Sequence, residues 1–117
     1  MQDMSRPPIM PSTAPVALDG MERNAAAATA FLKALAHEGR LMILCHLSQG
    51  ERSVTELEQL IGARQSAVSQ QLARLRLEGL VENRRDGKAI YYRIADPRVA
   101  GLIGALHAMF CAADTPD

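Results

Sequence analysis

Residues 62–94 read GARQSAVSQQLARLRLEGLVENRRDGKAIYYRI. Two periods meet in this stretch. From Gln65 to Leu77, Val68, Leu72 and Leu75 recur at helical spacing and point inward. Gln65, Ser66, Ser69, Gln70 and Arg74 are left for the other faces, and Gly79 closes the helix. Beyond it the period becomes two. Val81 precedes an Asp86-Gly87 turn signal, and Ile90, Tyr92 and Ile94 alternate after it, which predicts a β-hairpin.

Upstream, RSVTELEQLIG (residues 52–62) predicts a short helix. Ser53 and Glu56 have capping-box spacing, Leu57, Leu60 and Ile61 supply a core face, and Gly62 ends it. Before that, LMILCHL (residues 41–47) lies in a helix running from near His37 to Ser48-Gln49-Gly50, with Leu41, Leu44 and Cys45 on one face. The Ala-rich MERNAAAATAFLKALA (residues 21–36) predicts a first helix starting at Asp19 or Gly20, with Phe31, Leu32 and Leu35 as its apolar stripe. Downstream, Asp96-Pro97 starts a last helix with Val99, Leu102, Ile103, Leu106 and Phe110 on one side.

The order is α-α-α-α-β-β-α. Two short helices joined by a Gly-containing turn and followed by a hairpin describe a winged helix-turn-helix, mainly α with a β-hairpin wing. Residues 19–113 are expected to form this one folded domain. Residues 1–18, with Pro7, Pro8, Pro11 and Pro15, and residues 114–117 are expected to be tails.

The 117 residues suit one domain, and 48% of them are apolar, enough for a core. With two Tyr, two Phe and no Trp, aliphatic side chains must fill it. No run of 18 apolar residues predicts a membrane helix, and no secretion signal is evident. Two cysteines make no disulfide framework, so a reducing cytoplasm is expected. The net charge is zero, but residues 62–93 hold seven Arg or Lys against three acids. That basic segment can present a positive face to phosphates.

The outer face of the fourth helix carries side chains suited to a groove. Gln pairs bidentately with adenine, and Ser reaches base edges or phosphates. The first turns of the helix offer Gln65, Ser66, Ser69 and Gln70, while Arg64 and Arg74 can reach the backbone. In the wing, Arg84, Arg85 and Lys88 flank a tight turn that is expected to push all three charges outward. Each of these residues alone would read as a solvated surface residue. The ordered set predicts an interface with double-stranded DNA, ahead of a non-DNA interaction module.

The run FLKALAHEGRLMILCHLSQGERSVTELEQLIGARQSAVSQQLARLRLEGLVENRRDGKAIYYRI (residues 31–94), with the terminal helix, resembles the ArsR/SmtB family of small bacterial winged-helix repressors. The resemblance covers about residues 22–112, and its most specific part is QSAVSQQLARLRLEGLV followed by the DGK wing turn. It implies a homodimer joined through the first and last helices. It also implies an operator with two-fold symmetry and an effector that releases the DNA.

The resemblance also frames the choice of effector. One family metal site needs a C-x-C pair on the helix before the recognition helix, and TELEQLIG (residues 55–62) has no cysteine. The other needs paired ligands on the last helix. There Asp96 fits, but Arg98, Met109 and Ala112 stand where ligands are expected. No metal and no cofactor are therefore expected. Cys45 on the second helix and Cys111 on the last resemble the thiol pair of the sulfide-responsive, persulfide-sensing members, which bridge within one subunit. Some of those have a further cysteine in the N-terminal tail, which is missing here. On that likeness the pair is a redox sensor and reactive sulfur species are its effector, with a metal- or general oxidant-responsive repressor as the alternative. His107, one turn before Cys111, reads as a surface or interface histidine ahead of a group that favours the thiolate. An enzyme is not expected, since both cysteines lie in apolar helices with no catalytic loop around them.

Overall fold

A computed structural model describes residue 15 and residues 17–111. Its elements are α1 (Leu18–Leu35), α2 (Glu38–Leu47), β1 (Arg52–Ser53), α3 (Val54–Ile61), α4 (Gln65–Leu77), β2 (Val81–Asp86), β3 (Ala89–Ile94) and α5 (Pro97–Phe110). The winged helix-turn-helix is present, with one addition to the expected order. Arg52 and Ser53 form a two-residue strand that pairs antiparallel with Tyr92 and Tyr91. The sheet therefore has three strands in the order β1-β3-β2.

Local chemistry sets the boundaries. His37 caps α2 by accepting the Gly39 N–H at Nδ1, 3.0 Å away. At α3, Ser53 Oγ accepts from the Glu56 N–H at 3.1 Å, and Glu56 Oε1 accepts from the Ser53 N–H at 2.8 Å, a closed capping box. Gly62 ends α3 in the left-handed region at φ 75°, where a side chain would be strained. Asp96 caps α5 by accepting from the Arg98 N–H at 2.9 Å, and Pro97 occupies the first turn, where its missing N–H costs nothing.

The core lies where α4 packs on β2 and α2, α3 and α5 pack on β3. Ile43, Leu44, Leu57, Val68, Leu72, Leu75 and Val99 are its most buried large side chains, with Ala34, Leu35, Leu80 and Val81 closing its edges. No charged or polar side chain is buried among the described residues. Ile90, Tyr92 and Ile94 are half-buried.

Several expectations need correction. Helix α1 begins at Leu18, so that residue is part of the folded body; the rest of the expected tails, apart from Pro15 and Ala17, lies outside the described residues. Three residues assigned to apolar stripes face outward: Leu32 is 54% exposed, Leu60 47% and Phe110 73%. In α1 and α5 the inward stripe is narrower than the apolar pattern suggests. That leaves Leu18, Met21 and Leu32 on α1 and Met109 on α5 uncovered. Among the described residues, no helix is long and apolar enough to cross a membrane.

Candidate DNA interface and thiol site

Burial of Val68, Leu72 and Leu75 fixes how α4 is rotated. The opposite side is a stripe of Ser66, Gln70, Ala73 and Leu77, flanked by Ser69 and Arg74, all of them exposed. Gln65 and Arg64 are exposed at the start of the helix, on its shoulder. Arg74 Nε lies 3.4 Å from Glu78 Oε2, one turn on. An exposed pair of this kind is worth only about 0.3–0.5 kcal/mol, so Arg74 can exchange it for a phosphate. Helix α4 is also held from behind. Arg40 donates from Nη1 to Gln71 Oε1 (3.2 Å) and from Nε to Ala34 O (2.7 Å), tying the recognition helix to the end of α1. Sequence reasoning missed this tie because Arg40 and Gln71 are joined only through the tertiary fold.

In the wing, Asp86 pairs with Ala89, so Gly87 and Lys88 are the central turn residues. Gly87 has φ +65° and Lys88 does not share that sign, which suits a turn with glycine first. Strand alternation then sends Arg84 and Arg85 to opposite faces. Arg85 and Lys88 are exposed and enter no ion pair among the described residues. Arg84 departs from the expectation that all three cations point outward. Its Nε and Nη2 bind the two carboxylate oxygens of Glu51 at 2.9 and 2.8 Å, and its guanidinium stacks on Tyr91, 4.7 Å from the ring centroid. The hydrogen bonds from Arg84 hold the Glu51 carboxyl below its ordinary pKa, and Glu51 raises that of Arg84 in return. The bidentate geometry makes Arg84 a strut between the wing and the turn after α2.

The thiols lie on α2 and at the end of α5. Cys45 is half-buried against the core, and Cys111 is exposed as the C-cap residue of α5. Both line one groove of about 660 Å³ between the two helices. Leu41 and Met42 of α2, with Ser48 and Gln49 of the turn that follows it, form one wall, and Ile103, Leu106, His107 and Phe110 form much of the α5 wall. Burial, and secondarily the nearby Cys111, push the Cys45 thiol above its ordinary pKa. His107 lines the same groove one turn before Cys111; His46 does not.

The carboxylate of Asp96 is engaged by Arg98, with Nη2 2.6 Å from Oδ2, and Arg98 stacks on Phe31. This ion pair, with the cap bond, holds Asp96 below its ordinary pKa. Ala112 lies outside the described residues. Among those described, no three His, Cys, Asp or Glu residues cluster as a metal site.

Comparison with known proteins agrees with this geometry. The family model described as bacterial regulatory protein, arsR family, matches residues 37–83, which run from the cap of α2 into β2. The biofilm growth-associated repressor of Agrobacterium fabrum is 50% identical over 97 residues, 83% of each chain. The crystal structure of the transcriptional repressor BigR from Xylella fastidiosa superposes with a TM-score of 0.80 at 46% identity, over 83% of this chain and 99% of that one. The structure of reduced HlyU from Vibrio cholerae gives a TM-score of 0.74 at 43% identity, over 79% of this chain and 97% of that one. With a recognition helix and wing of this form, and relatives this similar over most of their length, the chain belongs to the arsR family of bacterial regulatory proteins and is a DNA-binding transcriptional regulator, not an enzyme.

Proposed function

We propose that this regulator is a homodimeric repressor acting in the cytoplasm, and that Cys45 and Cys111 form a switch that reads reactive sulfur and releases the operator. The observation that carries this reading is the single groove lined by both thiols, on helices that border the recognition helix and the expected dimer face. The uncovered Leu18, Met21, Leu32 and Met109 supply an apolar surface for a second copy. Gln65, Ser66, Ser69 and Gln70 read bases, while Arg64, Arg74, Arg85 and Lys88 contact phosphates, with Arg84 bracing the wing.

The two cysteines divide the chemistry by exposure. Cys111, at the open end, is the attacking thiolate. It takes the terminal sulfur of a hydropersulfide, R–S–S–H, and the thiolate R–S⁻ leaves. Cys45 then gives up its proton and attacks the Cys111 sulfur, expelling hydrosulfide and closing Cys45–S–S–Cys111. The two thiols supply the two electrons that reduce the transferred sulfur, so no outside oxidant is needed. A direct bridge requires Cα atoms about 4.4–6.8 Å apart, and a longer sulfur chain tolerates more. Either product braces α2 against α5 and shifts the separation of two recognition helices that must match half-sites about 34 Å apart.

The test is operator binding by the reduced dimer before and after anaerobic persulfide treatment, with intact mass and thiol capping on the same samples. Both thiols are expected to become uncappable within one chain as DNA is released. Cys45→Ser and Cys111→Ser should each bind DNA normally and ignore the persulfide. Normal release by either variant would refute the switch.

A further inference from the structure

The groove holding the thiols is far larger than a sulfur atom requires, and its lining has a distinct character. Its roughly 660 Å³ falls in the range of sites for organic ligands, about 300–1,000 Å³. Leu41, Met42, Ile103, Leu106 and Phe110 give it apolar walls. Among the described residues, no Lys, Arg, Asp or Glu lines it, and His107 is the one titratable side chain there besides the thiols.

We infer that the groove selects a hydropersulfide whose organic group is apolar and uncharged. This rests on the thiol-switch reading and deepens it. Two physical effects act together. An apolar organic group gains by leaving water for these walls, whereas a carboxylate or ammonium would lose hydration with no opposite charge to replace it. The same surroundings favour the neutral perthiol over the perthiolate. The neutral form is the electrophile that Cys111 needs, because a thiolate attacks an anionic disulfide poorly. The lining therefore orients the donor and keeps it reactive.

The probes are benzyl hydropersulfide and glutathione hydropersulfide, the latter with two carboxylates and an ammonium. Each is reacted anaerobically with the reduced full-length protein, and thiol loss is timed by quenching, capping and mass. Each rate is divided by that of the same donor with 2-mercaptoethanol, which removes intrinsic reactivity. The normalised benzyl rate should exceed the glutathione rate at least about tenfold, the effect of burying roughly two methylene equivalents. Met42→Arg and Phe110→Arg each place a cation at the wall or rim on partly or largely exposed side chains. Both should cut that ratio several-fold while operator affinity of the thiol form is kept. A ratio near one in the parent protein would overturn the selectivity and leave the switch standing. So would a high ratio unchanged in both arginine variants. If neither donor consumed the thiols, the switch itself would fall, and the selectivity with it.

Discussion

Arg85→Ala tests the wing and the oligomer in one experiment. Arg85 is exposed at the outer end of β2, outside any ion pair among the described residues, while its neighbour Arg84 is claimed by Glu51. If Arg85 neutralises one phosphate, each wing on the DNA contributes about 0.9 to the slope of log affinity against log salt. A dimer brings two wings, so the substitution should flatten the slope by about 1.8. Between about 50 and 200 mM salt that difference amounts to roughly twelvefold, whereas a single wing would give about 3.5-fold. Fluorescence anisotropy on a selected operator, and on unrelated duplex, across that range measures it directly. The loss should be similar on both DNAs, because a phosphate carries no sequence. Glu51→Gln provides the opposite arm: it releases Arg84 from its carboxylate, and the slope should steepen by up to about 0.9 per wing. An unchanged slope for Arg85→Ala would remove that residue from the phosphate contacts. A change near 0.9 would argue for one engaged wing and against a symmetric dimer on the operator.

Two further predictions concern the frame that carries both sites. Ser53→Ala opens the capping box at the entrance to α3 and should cost about 1 kcal/mol in denaturant unfolding, with little change in slope against denaturant. A loss under about 0.3 kcal/mol would mean that the box is not stabilising. The raised pKa of Cys45 also has a thermodynamic sign. The folded state holds this proton more tightly than the unfolded chain, so its contribution is complete below the ordinary thiol pKa and is lost as pH rises through the folded value. Stability should therefore fall with rising alkalinity above about pH 8.5, and Cys45→Ala should show a smaller alkaline decline. Parallel pH profiles for the two proteins would refute this.

The elements that were legible in the sequence are those whose signals are local. The Ser53–Glu56 spacing, the Asp86-Gly87 turn and Pro97 each act within a turn of themselves, and each appears where expected. Strand β1 was not legible because two residues have no period; it exists through pairing with Tyr91 and Tyr92, far along the chain. Arg84 looks like its neighbours in a basic wing until Glu51 is folded beside it. The same holds for Arg40 with Gln71. Phe110 and Leu32 satisfy helical spacing, but spacing reports that a face is apolar, not which neighbour covers it. For the candidate sites, the sequence supplied the side chains of α4 and the two cysteines. The common groove, and the unequal exposure of its thiols, come only from how α2 meets α5.

The sheet order β1-β3-β2 also bears on solubility. Any strand with unpaired backbone groups is a template on which another chain can add. Here both margins resist such growth. On one side the border strand is two residues long, too short to hold an incoming segment in register. On the other, β2 reads VENRRD, and four of its six side chains are ionised. An arriving strand would have to pack beside Glu82, Arg84, Arg85 and Asp86 and disturb the Arg93–Glu82 and Arg84–Glu51 pairs. The charges that suit this wing to a nucleic acid therefore also protect it from fibril-like stacking when the protein is crowded and no DNA is near.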